Sequence, residues 1–86
     1  MADINIPLSP IHTAPWGAIR TGLKEPARPV FEQVLRDALA GVELGAYDER
    51  MVVWLSGWDV PTVATVASLL YRVRALGYEE PEEGRG

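Results

Sequence analysis

The sequence predicts a small all-α domain of three helices, with an extended proline-rich arm before it and an acidic tail after it. Two apolar patterns carry that prediction. Residues 46–76 hold two of the three tryptophans and most of the continuous apolar sequence, interrupted at Gly57-Trp58-Asp59, so they read as two helices joined by a tight turn. Upstream, Phe31, Val34, Leu35, Ala38, Leu39 and Val42 recur at spacings of three and four, the stripe of an amphipathic helix. Length adds a constraint. Eighty-six residues allow one domain, and if only about half of them are helical the core is thin. A core of that size often draws on a docked arm, a second copy or a partner. The expected divisions are an arm at 1–29, a three-helix domain at 30–76 and a tail at 77–86.

The arm contains Pro7, Pro10, Pro15, Pro26 and Pro29, which forbid a long helix and bias their neighbours to extended backbone. It also contains Ile4, Ile6, Leu8, Ile11, Trp16, Ile19 and Leu23, too apolar a set for a solvated tail. It is therefore expected to pack, either over its own helices or on another chain with Trp16 as anchor. His12, the only histidine, has no acid beside it and reads as a surface or packing residue.

Helix 1 is expected to begin at Pro29, whose missing N–H costs nothing in a first turn, and to end between Gly41 and Gly45. Its polar side includes the i,i+4 pair Glu32 and Arg36. In helix 2 the stripe is Tyr47, Met51, Leu55 and Trp58, broadened by Val52 and Trp54. Asp48 and Glu49 favour its positive end, and Gly57 offers the permissive backbone of a helix stop. Asp59 is a good N-cap for helix 3, and Pro61 falls in that helix's first turn. Helix 3 is apolar nearly all round, with Val63, Val66, Ala67, Leu70 and Val73 on one face and a thin polar line of Thr62, Thr65, Ser68 and Arg72. Gly77 ends it, and Glu79-Glu80-Pro81-Glu82-Glu83 is a like-charge tail expected to be disordered.

Several function classes are disfavoured. The chain has no cysteine, so there is no disulfide framework, thiolate metal site or cysteine nucleophile. The thirteen Asp, Glu and His residues follow no metal-ligand spacing, and no phosphate-loop motif occurs. Asp48 and Glu49 are adjacent, and neighbours on a helix diverge by about 100°, a poor acid–base pair. An enzyme, a cofactor or a small-molecule substrate is not expected. The first ten residues, MADINIPLSP, lack the basic and apolar regions of a signal peptide, and no run is apolar enough to span a membrane. A cytoplasmic location is the default expectation.

A net charge of −4 disfavours general attraction to nucleic acid. The charge is uneven, however, and helix 3 carries Arg72 and Arg74 against Asp59 alone. Helix 2, the turn and helix 3 also have the order of a helix–turn–helix. In that reading Thr62 and Thr65 lie at the front of the recognition helix, and Arg72 and Arg74 reach phosphates. The front has no Arg, Lys, Asn or Gln for base edges, and no two-stranded wing follows the helix.

The segment YDERMVVWLSGWDVPTVATVASLLYRVRALG, about a third of the chain, resembles one in small helical proteins of actinobacteria and their mobile elements. Its shared form is YDxRxxxWLxxWDxxTVATVASLxxRxR. The resemblance attaches no activity, and implies only that Trp54, Trp58 and the TVATVAS run form one packed unit. The functional expectation is a non-catalytic protein–protein interaction or oligomerisation module, homo-oligomeric or bound to a larger protein. Trp16, Trp58, Leu69 and Tyr71 are its candidate contacts, and a DNA-binding accessory role is the alternative.

Overall fold

In the computed structural model, which describes residues 3–20 and 28–77, helix α1 (Arg28–Ala38) is the element on which the others converge. Its stripe forms as the spacing predicts, with Phe31, Val34, Leu35 and Ala38 buried. Pro29 lies in its first turn. The helix stops at Ala38, about one turn earlier than expected. Leu39 and Ala40 donate to the Arg36 and Asp37 carbonyls at 3.1 and 3.2 Å, closing tight turns. Gly41 then takes φ +90°, a left-handed conformation that costs little only in glycine. Val42 thereby leaves the stripe and is exposed.

Helix α2 (Ala46–Leu55) starts where Asp48 Oδ2 accepts the Gly45 N–H at 3.0 Å, with Asp48 and Glu49 in its first turn. Of the predicted apolar set, only the Val52 and Leu55 side turns inward. Val52 and Ser56 are buried and Leu55 is half-buried, whereas Tyr47, Met51, Trp54 and Trp58 are all exposed. An Arg36–Glu49 ion pair at 2.8 Å joins α2 to α1 at this contact. Ser56 is satisfied locally, its hydroxyl donating to the Val53 carbonyl at 2.6 Å. Gly57 also plays a different part from the one expected. Among the described residues positive φ is confined to Gly41 and Gly77. At Gly57 a Cβ would lie 3.4 Å from the Trp54 carbonyl oxygen, an ordinary contact, so neither φ nor space demands glycine there.

Helix α3 (Val60–Ala75) is capped as predicted. Asp59 Oδ1 accepts the Thr62 N–H at 3.1 Å, and the hydrogen bonds from Thr62 hold the Asp59 carboxyl below its ordinary pKa. Its C-terminus is also as expected: Gly77, at φ +63°, donates to the Arg74 carbonyl at 2.9 Å. The buried face is rotated from the predicted one. It consists of Val63, Ala64, Ala67 and Ser68, while Val73 is half exposed. The small side chains let α3 lie close to its neighbours, so shape rather than apolarity selects the face.

Residues 3–20 double back rather than run as one extended arm. Strand β1 (Asp3–Ile4) pairs antiparallel with β2 (Ile19–Arg20), in the register Asp3 to Arg20 and Ile4 to Ile19. The architecture is thus mostly helical with a minimal two-stranded sheet. Ala18 and Ile19 join Phe31, Val34, Leu35, Val52, Val63, Ala64 and Ala67 in a single core cluster, with Ile6 packed against it. Further along, the fully buried Ser68 hydroxyl donates to the Pro7 carbonyl at 2.6 Å and accepts from Arg72 Nε at 3.1 Å. The first stretch of the chain is therefore fastened to the last helix by a buried polar contact. The linking residues 21–27 and the expected acidic tail from 78 onward lie outside the described residues. No described helix is long and apolar enough to cross a membrane.

Candidate interaction surface

In a helix of 3.6 residues per turn, Tyr47, Met51 and Trp54 fall within roughly 60° of one another, and Val52 and Ser56 lie nearly opposite. The structure buries the Val52 side and turns the aromatic side outward, with Tyr47 63%, Trp54 57% and Trp58 48% exposed. Trp58 follows in the turn after α2 and meets Trp54 edge-to-face, the ring centroids 5.4 Å apart and the planes at 74°. Arg50 stands over the Tyr47 ring, its guanidinium carbon 5.5 Å from the centroid. These residues form one continuous outward face, an aromatic and thioether surface edged by a cation. Beside it a groove of about 440 Å³ runs between the start of α1 and the end of α2, lined by Arg28, Glu49, Arg50, Val53 and Trp54.

Of the four sequence-derived contact candidates, three are exposed and one is half-buried. Trp58 belongs to the face just described. Trp16 is exposed in the turn before β2, and Leu69 is exposed on the outer side of α3. Tyr71 packs against the core, where burial and then the nearby Asp37 charge push its phenol pKa up. Trp54 and Trp58 pack on each other, and Val63, Ala64 and Ala67 of the TVATVAS run pack into the core cluster. The sequence places Tyr47, Met51, Leu55 and Trp58 on one stripe with Val52 and Trp54 beside it, and does not say which part of that set faces the core. The available hint was the second, smaller apolar side at Val52 and Leu55.

The residues of the nucleic-acid alternative are engaged inside the domain. Thr62 and Thr65 are half-buried and line a groove whose opposite wall is Ile11–Pro15, so the arm lies along the front of α3. Arg72 serves Ser68, and Arg74 donates to the Ala40 carbonyl at 2.6 Å, holding the end of α3 to the turn after α1. His12 sits in the same arm groove. A further apolar groove, also about 440 Å³, lies between Leu39, Val42, Leu70 and Val73. Among the described residues no group of three or more His, Asp or Glu could hold a metal ion. Compared with known protein families, curated proteins and solved structures, the chain gives no significant match.

Proposed function

We propose that this chain is a non-catalytic helical interaction module that binds protein through the outward face of α2. The observation that carries this reading is the exposure of Tyr47, Met51, Trp54 and Trp58 on one side of a helix in a domain with a thin core. Burial of such rings would add stability, and aromatic residues with methionine are the composition that dominates binding energy at protein interfaces. Four acids of the helical region fit a non-catalytic role, because they are engaged within the domain. Asp48 and Asp59 cap helices, and Glu32 and Glu49 hold Arg36 at 2.9 and 2.8 Å. Protein is favoured over nucleic acid as the partner because Arg72 and Arg74 have internal acceptors and the front of α3 faces the arm.

The test is a combined surface variant, Tyr47→Ser, Met51→Ser, Trp54→Ser and Trp58→Ser, compared with the parent for folding and for association. Retained circular dichroism with loss of partner or self-association supports the reading. A folded variant that associates undiminished refutes it.

A further inference from the structure

We infer that Tyr78, the residue that follows Gly77, is the occupant of the apolar groove between the ends of α1 and α3, so that this groove is closed from within and not by a second copy or another protein. The inference does not rest on the interaction-module reading. It takes this groove off the surface offered to partners.

The first argument is the way α3 ends. Leu76 caps the helix, Gly77 turns left-handed at φ +63°, and the Gly77 N–H donates to the Arg74 carbonyl at 2.9 Å. A left-handed glycine closes a helix in two common ways. In the simpler one its N–H reaches four residues back, which here is Val73. In the other it reaches three back, which here is Arg74. The next residue then donates to the carbonyl five back and lays an apolar side chain on that same residue. The acceptor is Arg74, so the second arrangement applies. It assigns the Tyr78 N–H to the Val73 carbonyl and the Tyr78 ring to the Val73 side chain.

The second argument is what Val73 adjoins. It is 49% exposed and lines the groove of about 440 Å³ together with Leu39, Val42 and Leu70. Gly77 lines the same groove, and the next Cα follows within about 3.8 Å, so Tyr78 leaves from the wall of the space its ring is to fill. Arg74 also lines the groove and ties the α3 wall to the turn after α1 through the Ala40 carbonyl at 2.6 Å. A tyrosine suits the site, because its ring can cover valine and leucine while its hydroxyl stays in water. Any other occupant must arrive from solution, whereas Tyr78 is tethered beside the groove and its docking is intramolecular.

The experiment uses the full chain, isotopically labelled, in solution NMR. The inference expects nuclear Overhauser contacts from the Tyr78 ring to the methyls of Val73 and Val42, and slowed exchange of the Tyr78 amide. It expects a ring-current displacement of those methyls that disappears in Tyr78→Ser and persists in Tyr78→Phe. In Gly77→Ala nothing lies within 4 Å of the new Cβ, so the change acts only through the strain of a positive φ. Protection of the Tyr78 amide is expected to fall about tenfold in that variant, with the amides of α1 unaffected. A Tyr78 ring without contacts to Val73 or Val42, methyl shifts unchanged in Tyr78→Ser, or equal Tyr78 protection in Gly77→Ala overturns the inference. In a mixture of labelled and unlabelled chains, contacts between chains at the Val73 or Val42 methyls overturn it in favour of a second copy. None of these outcomes bears on the α2 face.

Discussion

Replacing Ser68 by alanine removes one oxygen from the interior, and the structure indicates what that oxygen does. Ser68 is fully buried, and its hydroxyl is the only donor recorded for the Pro7 carbonyl among the described residues, at 2.6 Å. It also accepts from Arg72 Nε at 3.1 Å. A made hydrogen bond is worth about 1 kcal/mol net, and a carbonyl left short of its donor in a part-buried position costs about 1–3 kcal/mol. Arg72 can turn its guanidinium to water, so its loss adds little. Ser68→Ala is expected to cost about 1.5–3 kcal/mol, a large share of a stability of roughly 5 kcal/mol for so small a domain. At about 4–8 °C per kcal/mol, the melting temperature drops by roughly 6–24 °C. Urea unfolding followed by circular dichroism gives the energy, and amide hydrogen exchange gives the location. The Asn5 N–H, which donates to Ala18 O at 2.6 Å, is expected to lose protection more than the amides of α1. A change below about 0.5 kcal/mol with Asn5 protection intact would refute the idea that this hydroxyl fastens the arm.

Four further outcomes follow from the same contacts. Ile19→Ala, at a side chain only 3% exposed, is expected to cost about 2–4 kcal/mol by denaturant unfolding, and a neutral result would remove β2 from the core. Trp54→Ala and Trp58→Ala are each expected to leave the domain folded, well short of the ~3–5 kcal/mol of a buried indole, with a double-mutant coupling of about 0.5–1.5 kcal/mol from the edge-to-face pair. Asp59→Asn retains a capping side chain and removes its titration. Because the folded carboxyl pKa lies below the ordinary 3.8, the Asp59 contribution is complete above that value and is lost as pH falls through the lowered one. The Tm difference between wild type and this variant is therefore expected to narrow below about pH 4, and a difference independent of pH would argue against the charged cap. Finally, fluorescence anisotropy with mixed-sequence duplex DNA at about 50 mM salt is expected to show no salt-sensitive binding, and a steep salt slope abolished by Arg72→Glu with Arg74→Glu would restore the nucleic-acid reading.

Local signals were legible in the sequence because their physics is local. The α1 stripe, the Asp59 cap and the glycine at the end of α3 depend on residues within one or two turns, and each lies where its pattern points. Periodicity gives the angle of an apolar stripe but not the direction in which the helix turns it. Tyr47, Met51, Trp54 and Trp58 share a face whether that face meets α1 or solvent, and the choice is made by tertiary packing. The burial of Ser68 was hidden for a related reason. Its partner is a carbonyl sixty-one positions away, and no nearby residue signals that the hydroxyl will be satisfied inside. The pairing of β1 with β2 was equally silent, because two-residue strands are too short to show alternation. The candidate surface was thus half legible: its residues could be named, but not the direction they face.

The Ser68–Pro7 contact also has a consequence for synthesis. The two residues are separated by sixty-one positions, so at roughly 5–20 residues per second the ribosome delivers the donor about 3–12 s after the acceptor. During that interval Ile6 and Ile11 have left the site of peptide-bond formation without the core and the helix they will lie against. Docking of the arm is a late step that closes a long loop, and the nascent chain passes through a period in which its most apolar leading segment is open to chaperones.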